Sequence, residues 1–370
     1  MKKQFLTIFT FLGLSVMLIS WGGAGHYKIS YASGLSFNSQ MVQFNPWVSV
    51  LADHASDADD RKSWDPNEGP KHYIDIDNYN EFLTGGRIPQ TLDSAIAIHG
   101  AAFVYDQGIL PWATITAYDS LKSCFGRLDW ANAVLFASDL GHYVADGHMP
   151  LHITRNYNGQ YSGNNGIHSR FESTMINAYV SQITYPGFDI GEIENVNQYI
   201  FDYLYVNYTY LDSVIGADDY AKAIAGNTNS SAYKQALWNK SKGFTTLLFK
   251  NASHALTQLI FTAWVQAGSP QMEASAVTPV DPESSLFLGQ NVPNPFKNAT
   301  TLNYRIPKNS EVLLQVFDLS GKHIATLAEG QKAAGNYSIG WNPEYLKPGI
   351  YYLTLKSREI FEVKKMVVLN

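Results

Sequence analysis

Three histidines and an aspartate crowd the stretch Gly141-His142-Tyr143-Val144-Ala145-Asp146-Gly147-His148-Met149-Pro150-Leu151-His152. His142 and Asp146 stand four apart, so on a helix they share one face. Pro150 disfavours helix continuation, which puts His152 on the turn beyond. A second pair with the same spacing follows in His168-Ser169-Arg170-Phe171-Glu172. A single His–carboxylate pair reads as a surface ion pair or a cap. Two pairs, with His152 bracketed between them, match how helical bundles build carboxylate–histidine metal sites. Imidazole with carboxylate suits zinc. Upstream lie Asp57, Asp59 and Asp60, then His72 in Lys71-His72-Tyr73-Ile74-Asp75.

Around this stretch the chain reads as helices. Thr91–Tyr105, Trp130–Val144, His168–Val180, Val196–Val214, Ala232–Phe249 and Ala252–Gln266 carry helical period and good helix formers. Strand-like alternation is scarce there, and Asn156–Gly166 is a loop by its Gly and Asn content. The block is expected to be mainly α, and about 250 residues suffice for a buried core.

Both ends read differently. Lys2 and Lys3 precede an apolar run, Phe5–Ile19, too short for a spanning helix. Residues 1–20 are expected to be a secretory signal peptide cut after Ser20. Cleavage would expose Trp21 in Trp21-Gly22-Gly23-Ala24-Gly25-His26. Its free amine and carbonyl oxygen can then chelate a metal, with His26 as a third contact. From residue 271 to 287 the composition is that of a Pro/Ser/Ala linker. Beyond it, Thr300–Ile306, Glu311–Asp318, His323–Ala328, Asn336–Gly340, Ile350–Lys356 and Phe361–Leu369 are short alternating runs between turn residues. About seven strands there predict a small all-β, Ig-like sandwich over 288–370.

The chain has 370 residues and net charge -6. Residues 21–270 hold 14 Lys+Arg against 23 Asp+Glu, a balance of -9, while 271–370 hold 10 against 9. Nine of the ten histidines fall in the acidic block, so that block is where chemistry is to be sought. Hydrophobic residues at 45% exclude a wholly disordered chain. The charge disfavours a strongly basic nucleic-acid binder. A single cysteine, Cys124, excludes an internal disulfide and a Cys-based zinc cluster.

Two resemblances follow from these motifs. Gln290-Asn291-Val292-Pro293-Asn294-Pro295-Phe296, Val316–Gly321, Pro348-Gly349-Ile350-Tyr351 and Lys364–Val368 resemble the C-terminal sorting domain of the Bacteroidetes type IX secretion system. That implies interaction with the secretion machinery and export to the cell surface or beyond. Within 21–270, the order Trp-x4-His, Asp, His-aromatic-Ile-Asp, His-x3-Asp-x5-His and His-x3-Glu resembles the trinuclear-zinc superfamily of bacterial phospholipase C and single-strand-specific fungal nucleases. The resemblance implies a phospholipase C/nuclease-like helical fold holding three Zn2+, in a chain expected to be a monomer. One zinc would take Asp59, His72, His142 and Asp146. A second would take Trp21, His26 and the bridging Asp146. The third would take His152, His168 and Glu172. Asp57 stays an alternative to Asp59. His148 matches a position that is not a ligand, and His54 and His99 are read as structural.

The implied activity is hydrolysis of phosphate esters, with Asp59 and Asp146 as catalytic residues. Paired metals about 3.5–4 Å apart can activate water and clamp a phosphodiester. Toward phospholipase C point Glu172 as the closing carboxylate and the His148-Met149-Pro150-Leu151-His152 context. Toward a nuclease of the 3′-nucleotidase type, acting on single-stranded DNA or RNA, points the Trp21–His26 spacing. Tyr73 and Asp75 are expected at the substrate, where an aromatic ring can stack on a base or face a choline headgroup. The expected activity is phospholipase C-like, with the nuclease as alternative. A surface protein that binds without catalysis is a third reading.

Overall fold

The computed structural model describes residues 22–272 and 287–369, apart from 307, 319–321, 344–345 and 358–359. The expected signal peptide, Trp21 and residues 273–286 of the expected linker lie outside the described residues. The chain divides into two compact units, one ending at Met272 and one beginning at Glu273. The first is helical and the second is built of strands, in the order expected.

The helical unit is organised on Ser231–Gln266, 36 residues long, or roughly 54 Å at 1.5 Å per residue. Ser230 starts it by accepting from the Tyr233 N–H. This one helix replaces the two expected across Ala232–Gln266, because Asn251 stays inside it. Against it pack Gly22–Ser33, Leu110–Gly126, Trp130–Asp146 and Leu211–Ala225. Ser253 and Thr257 donate to the Ile29 and Ser33 carbonyls. The Ser33 carbonyl lies in the last turn of Gly22–Ser33, where helix acceptors lack partners of their own. The first helix is thereby fixed, with His26 fully buried on it.

Helix Trp130–Asp146 begins where Asp129 accepts from the Asn132 N–H. Its Leu140 and Val144 belong to one apolar core with Phe44, Trp47, Phe125 and Phe201. Its Ala145 belongs to a second, with Phe171, Trp238 and Phe249. The last turn, carrying His142 and Asp146, therefore lies at the seam between two cores.

Several expected helices are divided. Gly100, at φ +83, splits Thr91–Tyr105 into Leu92–His99 and Ala101–Asp106. Val196–Tyr208 stops at a turn where Thr209 Oγ1 donates to the Val206 carbonyl, a side-chain competitor for helix bonding. Leu211–Ala225 then starts afresh. His168–Val180 opens with a wide π turn, Ser169–Met175, before regular helix at Ile176–Tyr179. Besides the short helices Trp47–Asp53, Asp57–Arg61 and Asn80–Gly85, two longer ones go unsignalled in the sequence. Gly22–Ser33 is rich in glycine, and Leu110–Gly126 buries its whole first turn before settling to one buried face.

The second unit is a pair of antiparallel sheets. Strands β1 (Phe287–Leu288), β2 (Thr300–Ile306) and β5 (Gly335–Trp341) form one, in the order β1-β2-β5. Strands β3 (Ser310–Asp318), β4 (His323–Lys332), β6 (Gly349–Ser357) and β7 (Ile360–Val368) form the other, in the order β4-β3-β6-β7. Alternate residues of β2, β3 and β6, among them Leu302, Tyr304, Leu314, Val316, Leu353 and Leu355, share one buried core.

A loop-to-loop approach shapes the ground beneath the candidate site. Asp75 N donates to Gln107 O at 2.7 Å, Ile109 N to Pro70 O at 2.7 Å, and Leu110 N to Tyr73 O at 3.2 Å. Gly108 stands between these bonds at φ +86, and a Cβ there would lie 2.1 Å from the Tyr73 carbonyl oxygen. Gly108→Ala is therefore expected to lower stability by about 2 kcal/mol or more. Thermal melting checks it; an unchanged melting temperature would show that the loop yields without cost.

Candidate metal centre

Asp146 is fully buried, and imidazoles from four parts of the chain surround it. Its Oδ2 lies 3.0 Å from His72 Nδ1 and 3.3 Å from His142 Nε2. Its Oδ1 lies 3.5 Å from His26 Nε2 and 3.5 Å from His152 Nδ1. The two oxygens thus face different sets of nitrogens, the geometry of a carboxylate able to bridge. The His26 and His142 rings stack at 3.9 Å, tilted by 1°.

Three groups of donors are close enough to hold ions: Asp59, His72 and His142; His26, His142 and Asp146; His152, His168 and Glu172. Within each, the candidate ligand atoms lie within 4.8 Å of one another. These groups contain every expected ligand except Trp21, which lies outside the described residues. Asp59 Oδ1 is 3.5 Å from His72 Nδ1 and 3.6 Å from His142 Nε2. Asp57 turns away instead and pairs with His54 Nδ1 at 2.7 Å. Lys62 Nζ approaches the same Asp59 oxygen at 2.5 Å, so a metal there would displace this ammonium.

The donor set fits a divalent ion such as zinc, since it offers imidazole and carboxylate only. The third group carries the sharpest signature. His152 Nε2, His168 Nε2 and both Glu172 oxygens are buried without a hydrogen-bond partner. Yet His168 Nε2 is 2.5 Å from Glu172 Oε2, and His152 Nε2 is 3.5 Å from Glu172 Oε1. Buried polar atoms that lie this close with no hydrogen-bond partner are suited to sharing an ion.

The outward nitrogens fix the rings. His142 Nδ1 meets the Ala55 carbonyl at 2.7 Å, His152 Nδ1 the His72 carbonyl at 2.6 Å, and His168 Nδ1 the Tyr157 carbonyl at 3.1 Å. Each carbonyl needs a donor, so each ring carries its proton on Nδ1 and leaves Nε2 for a metal. His72 is reversed. Its Nδ1 faces the cluster, and its Nε2 lies 3.5 Å from Glu68 Oε1.

Glu68 is fully buried, and it escaped the sequence reading. Its carboxylate accepts from Tyr143 OH, from Arg61 and from Lys71 Nζ at 2.8 Å. Arg61 in turn donates to Asp139 Oδ1 at 2.9 Å. The available signal was spacing: Glu68 precedes His72 by four residues, as His142 precedes Asp146.

Charge is shared among these groups. Burial opposes ionisation of Asp146, but His142 and His152 hold it well below the usual carboxylate range. Burial likewise opposes protonation of His142, and Asp146 and Asp59 overcome it. His152 is raised to about 9 in the same way, by Asp146 and Glu172 against burial. Burial, reinforced by His142, lowers His26 to about 3.

Tyr73 and Asp75 follow His72 on a segment, 72–77, that lies along 152–155. Ile74 N donates to His152 O at 2.8 Å, and Arg155 N to Asp77 Oδ1 at 2.8 Å. Burial, with Asp77 and Asp106 close by, raises Asp75 to about 7. Tyr73 OH donates to the Asp106 carbonyl at 3.2 Å. His148 stays outside the cluster: Nδ1 bonds the Val144 carbonyl at 2.7 Å, and the ring stacks on Tyr203. His99 pairs with Glu81 at 2.6 Å. Cys124 is buried, which raises its thiol.

Residues 292–369 match the model of the secretion system C-terminal sorting domain, so a sorting domain is present. No curated protein matches the chain. Among solved structures the chain is similar to the alpha toxin of Clostridium absonum, at 9% identity and TM-score 0.41. That match covers 95% of this chain and 98% of the toxin. It is also similar to the alpha-toxin of Clostridium perfringens avian strain SWCP, at 11% identity and TM-score 0.40, over 93% and 97% of the two chains.

The charge pattern fixes the sign of a pH effect. Imidazoles raised on folding add stability below their unfolded value near 6.5, and lose it as pH rises through about 9 for His152. The depressed Asp146 and Glu172 add stability above the ordinary carboxylate range and lose it as pH falls through and below that range. Burial lowers His26 and His148, which therefore cost stability as pH falls below about 6.5, so chelator-treated protein is expected to be most stable near about pH 6–7 and to weaken toward 9. Stabilisation by added zinc should grow over that same interval, as metal replaces protons. Melting curves from pH 4 to 10, with and without zinc, check this; a zinc effect that shrinks as pH rises would contradict it.

Proposed function

We propose that the helical unit is a zinc-dependent phosphodiesterase that holds three zinc ions, is exported by the type IX route, and acts on phospholipids in the manner of a phospholipase C. The observation that carries the reading is the buried Asp146 carboxylate, joined on both oxygens to imidazoles and flanked by three convergent donor groups. Asp59, His72, His142 and Asp146 would hold one ion; His26 and Asp146, with the Trp21 amine and carbonyl, a second; His152, His168 and Glu172 the third. Bound zinc supplies Lewis acidity toward phosphate oxygens and makes water acidic enough to act near neutral pH.

The remaining roles belong to the chain itself. Asp146 fixes the spacing of the first two donor groups. Asp59 lies at the less enclosed edge of the first group, where its carboxylate can orient a water for attack. The Tyr73 ring and the Asp75 carboxylate, on the segment that follows His72, would meet the substrate group beyond the phosphate. A half-buried carboxylate beside an aromatic ring suits a cationic headgroup.

The same pair supports a second reading. At about 7, Asp75 is partly protonated near neutral pH and can donate to a base stacked on Tyr73. Under that reading the substrate is single-stranded DNA or RNA. The protein from Trp21 onward, supplied with zinc, is to be assayed side by side on phosphatidylcholine, other phospholipids, single-stranded DNA and RNA. Turnover of phospholipid alone supports the first reading, and turnover of nucleic acid alone replaces it with the second. Absence of bound zinc on metal analysis would remove both and leave a surface binding protein.

Asp146→Asn is expected to lower turnover of the active substrate by about two orders of magnitude or more, since loss of even an outer-sphere partner costs 10–100-fold. Initial rates at saturating zinc measure it. A rate within a few-fold of the parent would remove Asp146 from the centre.

A further inference from the structure

Arg170 sits between His168 and Glu172 and takes no part in the donor group. Two residues from each, it leaves the wide turn Ser169–Met175 on the opposite side. There it meets Asp218, fully buried on Leu211–Ala225. Arg170 Nη2 donates to Asp218 Oδ1 at 2.9 Å, and Arg170 Nε donates to Tyr233 OH at 2.9 Å. Tyr233 OH donates to Asp218 in turn. Lys222 Nζ lies 2.9 Å from Asp218 Oδ2.

The other end of the guanidinium grips the loop that precedes His168. Arg170 Nη1 donates to Asn165 O at 2.7 Å and Nη2 to Asn164 O at 3.2 Å. Asn164 Nδ2 donates to Asp218 Oδ2 and to Asp219 Oδ1, each at 2.7 Å. Gly166, at φ +85, admits this contact: a Cβ there would stand 2.7 Å from Arg170 Nη1. The loop closes on itself through Asn164 N to Gly159 O and Gly166 N to Asn158 O. It carries Tyr157, whose carbonyl faces His168 Nδ1.

We propose that Asp218 and Arg170 are positioning residues which lock the loop 156–166 and thereby aim His168 at the third donor group. The chain of contacts is continuous. Asp218 holds Arg170, Arg170 holds the Asn164 and Asn165 carbonyls, the loop so fixed presents Tyr157 O, and Tyr157 O sets the His168 ring. The fork geometry of arginine is needed, because one side chain serves a carboxylate and two carbonyls. The consequence for metal affinity rests on the zinc reading above; the locking of the loop does not.

Full-length Asp218→Asn and Arg170→Lys test it by two readouts. The first is hydrogen exchange of the loop amides, which needs no metal. Both variants should lose protection in 156–166 while the amides of Trp130–Asp146 stay protected. The second is zinc affinity by chelator competition. One ion of the set should bind about 10–100-fold more weakly in either variant, the others unchanged. Arg170→Lys keeps the positive charge beside Asp218, so it serves where Asp218→Asn fails to fold. Unchanged loop protection, or equal weakening of all ions together with general loss of protection, would overturn the lock. If the parent holds no zinc, the zinc reading fails by itself, and loop exchange still decides the lock.

Discussion

A fully buried carboxylate is costly unless every lone pair is answered, and Asp146 is answered by four imidazoles. They come from Gly22–Ser33, from the turn before residue 73, from the same helix and from the turn after Pro150. Much of the helical unit can be read as the means of bringing these segments to one point. The two apolar cores meet at Ala145, one residue away, which keeps water from Asp146. Hydroxyls of Ser253 and Thr257 dock the first helix, and the bonds of 107–110 to 70–75 dock the segment that bears His72.

A second layer constrains the first. His142, His152 and His168 each turn one nitrogen to a main-chain carbonyl, so their orientation depends on the backbone path at Ala55, His72 and Tyr157. His72 depends on Glu68, which is itself held by Tyr143, Arg61 and Lys71. One residue plays both parts: the ring of His72 faces Asp146 while its carbonyl orients His152. The donor groups are thus linked through main chain as well as through the shared carboxylate, and a shift in one segment is transmitted to two groups.

The parts visible in the sequence are those made by local geometry. His142 with Asp146 and His168 with Glu172 are spaced by one helical turn, so their contact needs only a helix. The strands were visible too, because one buried face gives alternation. His26 and Asp59 came from the order of motifs, since nothing local joins residue 26 to 146. Arg61 and Asp139 went unseen because their contact spans 78 residues of chain, and Glu68 because Tyr143, 75 residues away, is needed to mark it as part of the centre. The helix Leu110–Gly126 escaped for a different reason: its first turn, Leu110–Thr114, is buried all round, and beyond it the helically spaced buried positions include Ala117 and Cys124, which are weak apolar signals. The break at Gly100 was encoded in one residue and was masked by the helix formers on either side.

The charge balance follows from the same constraint. A block with 23 acidic and 14 basic residues keeps Asp146, Glu172 and Glu68 fully buried. Glu68 and Asp218 are neutralised by arginine and lysine. Asp146 and Glu172 are met by histidine, whose charge depends on pH. Under the zinc reading, metal takes over from those protons. It then ties residue 26 to residue 146 and residue 152 to residue 172 within a chain that has one cysteine and no internal disulfide. Metal binding and folding would be one equilibrium in such a unit. The buried carboxylates that hold protonated histidines in the stripped protein are the groups that would hold metal in the loaded one.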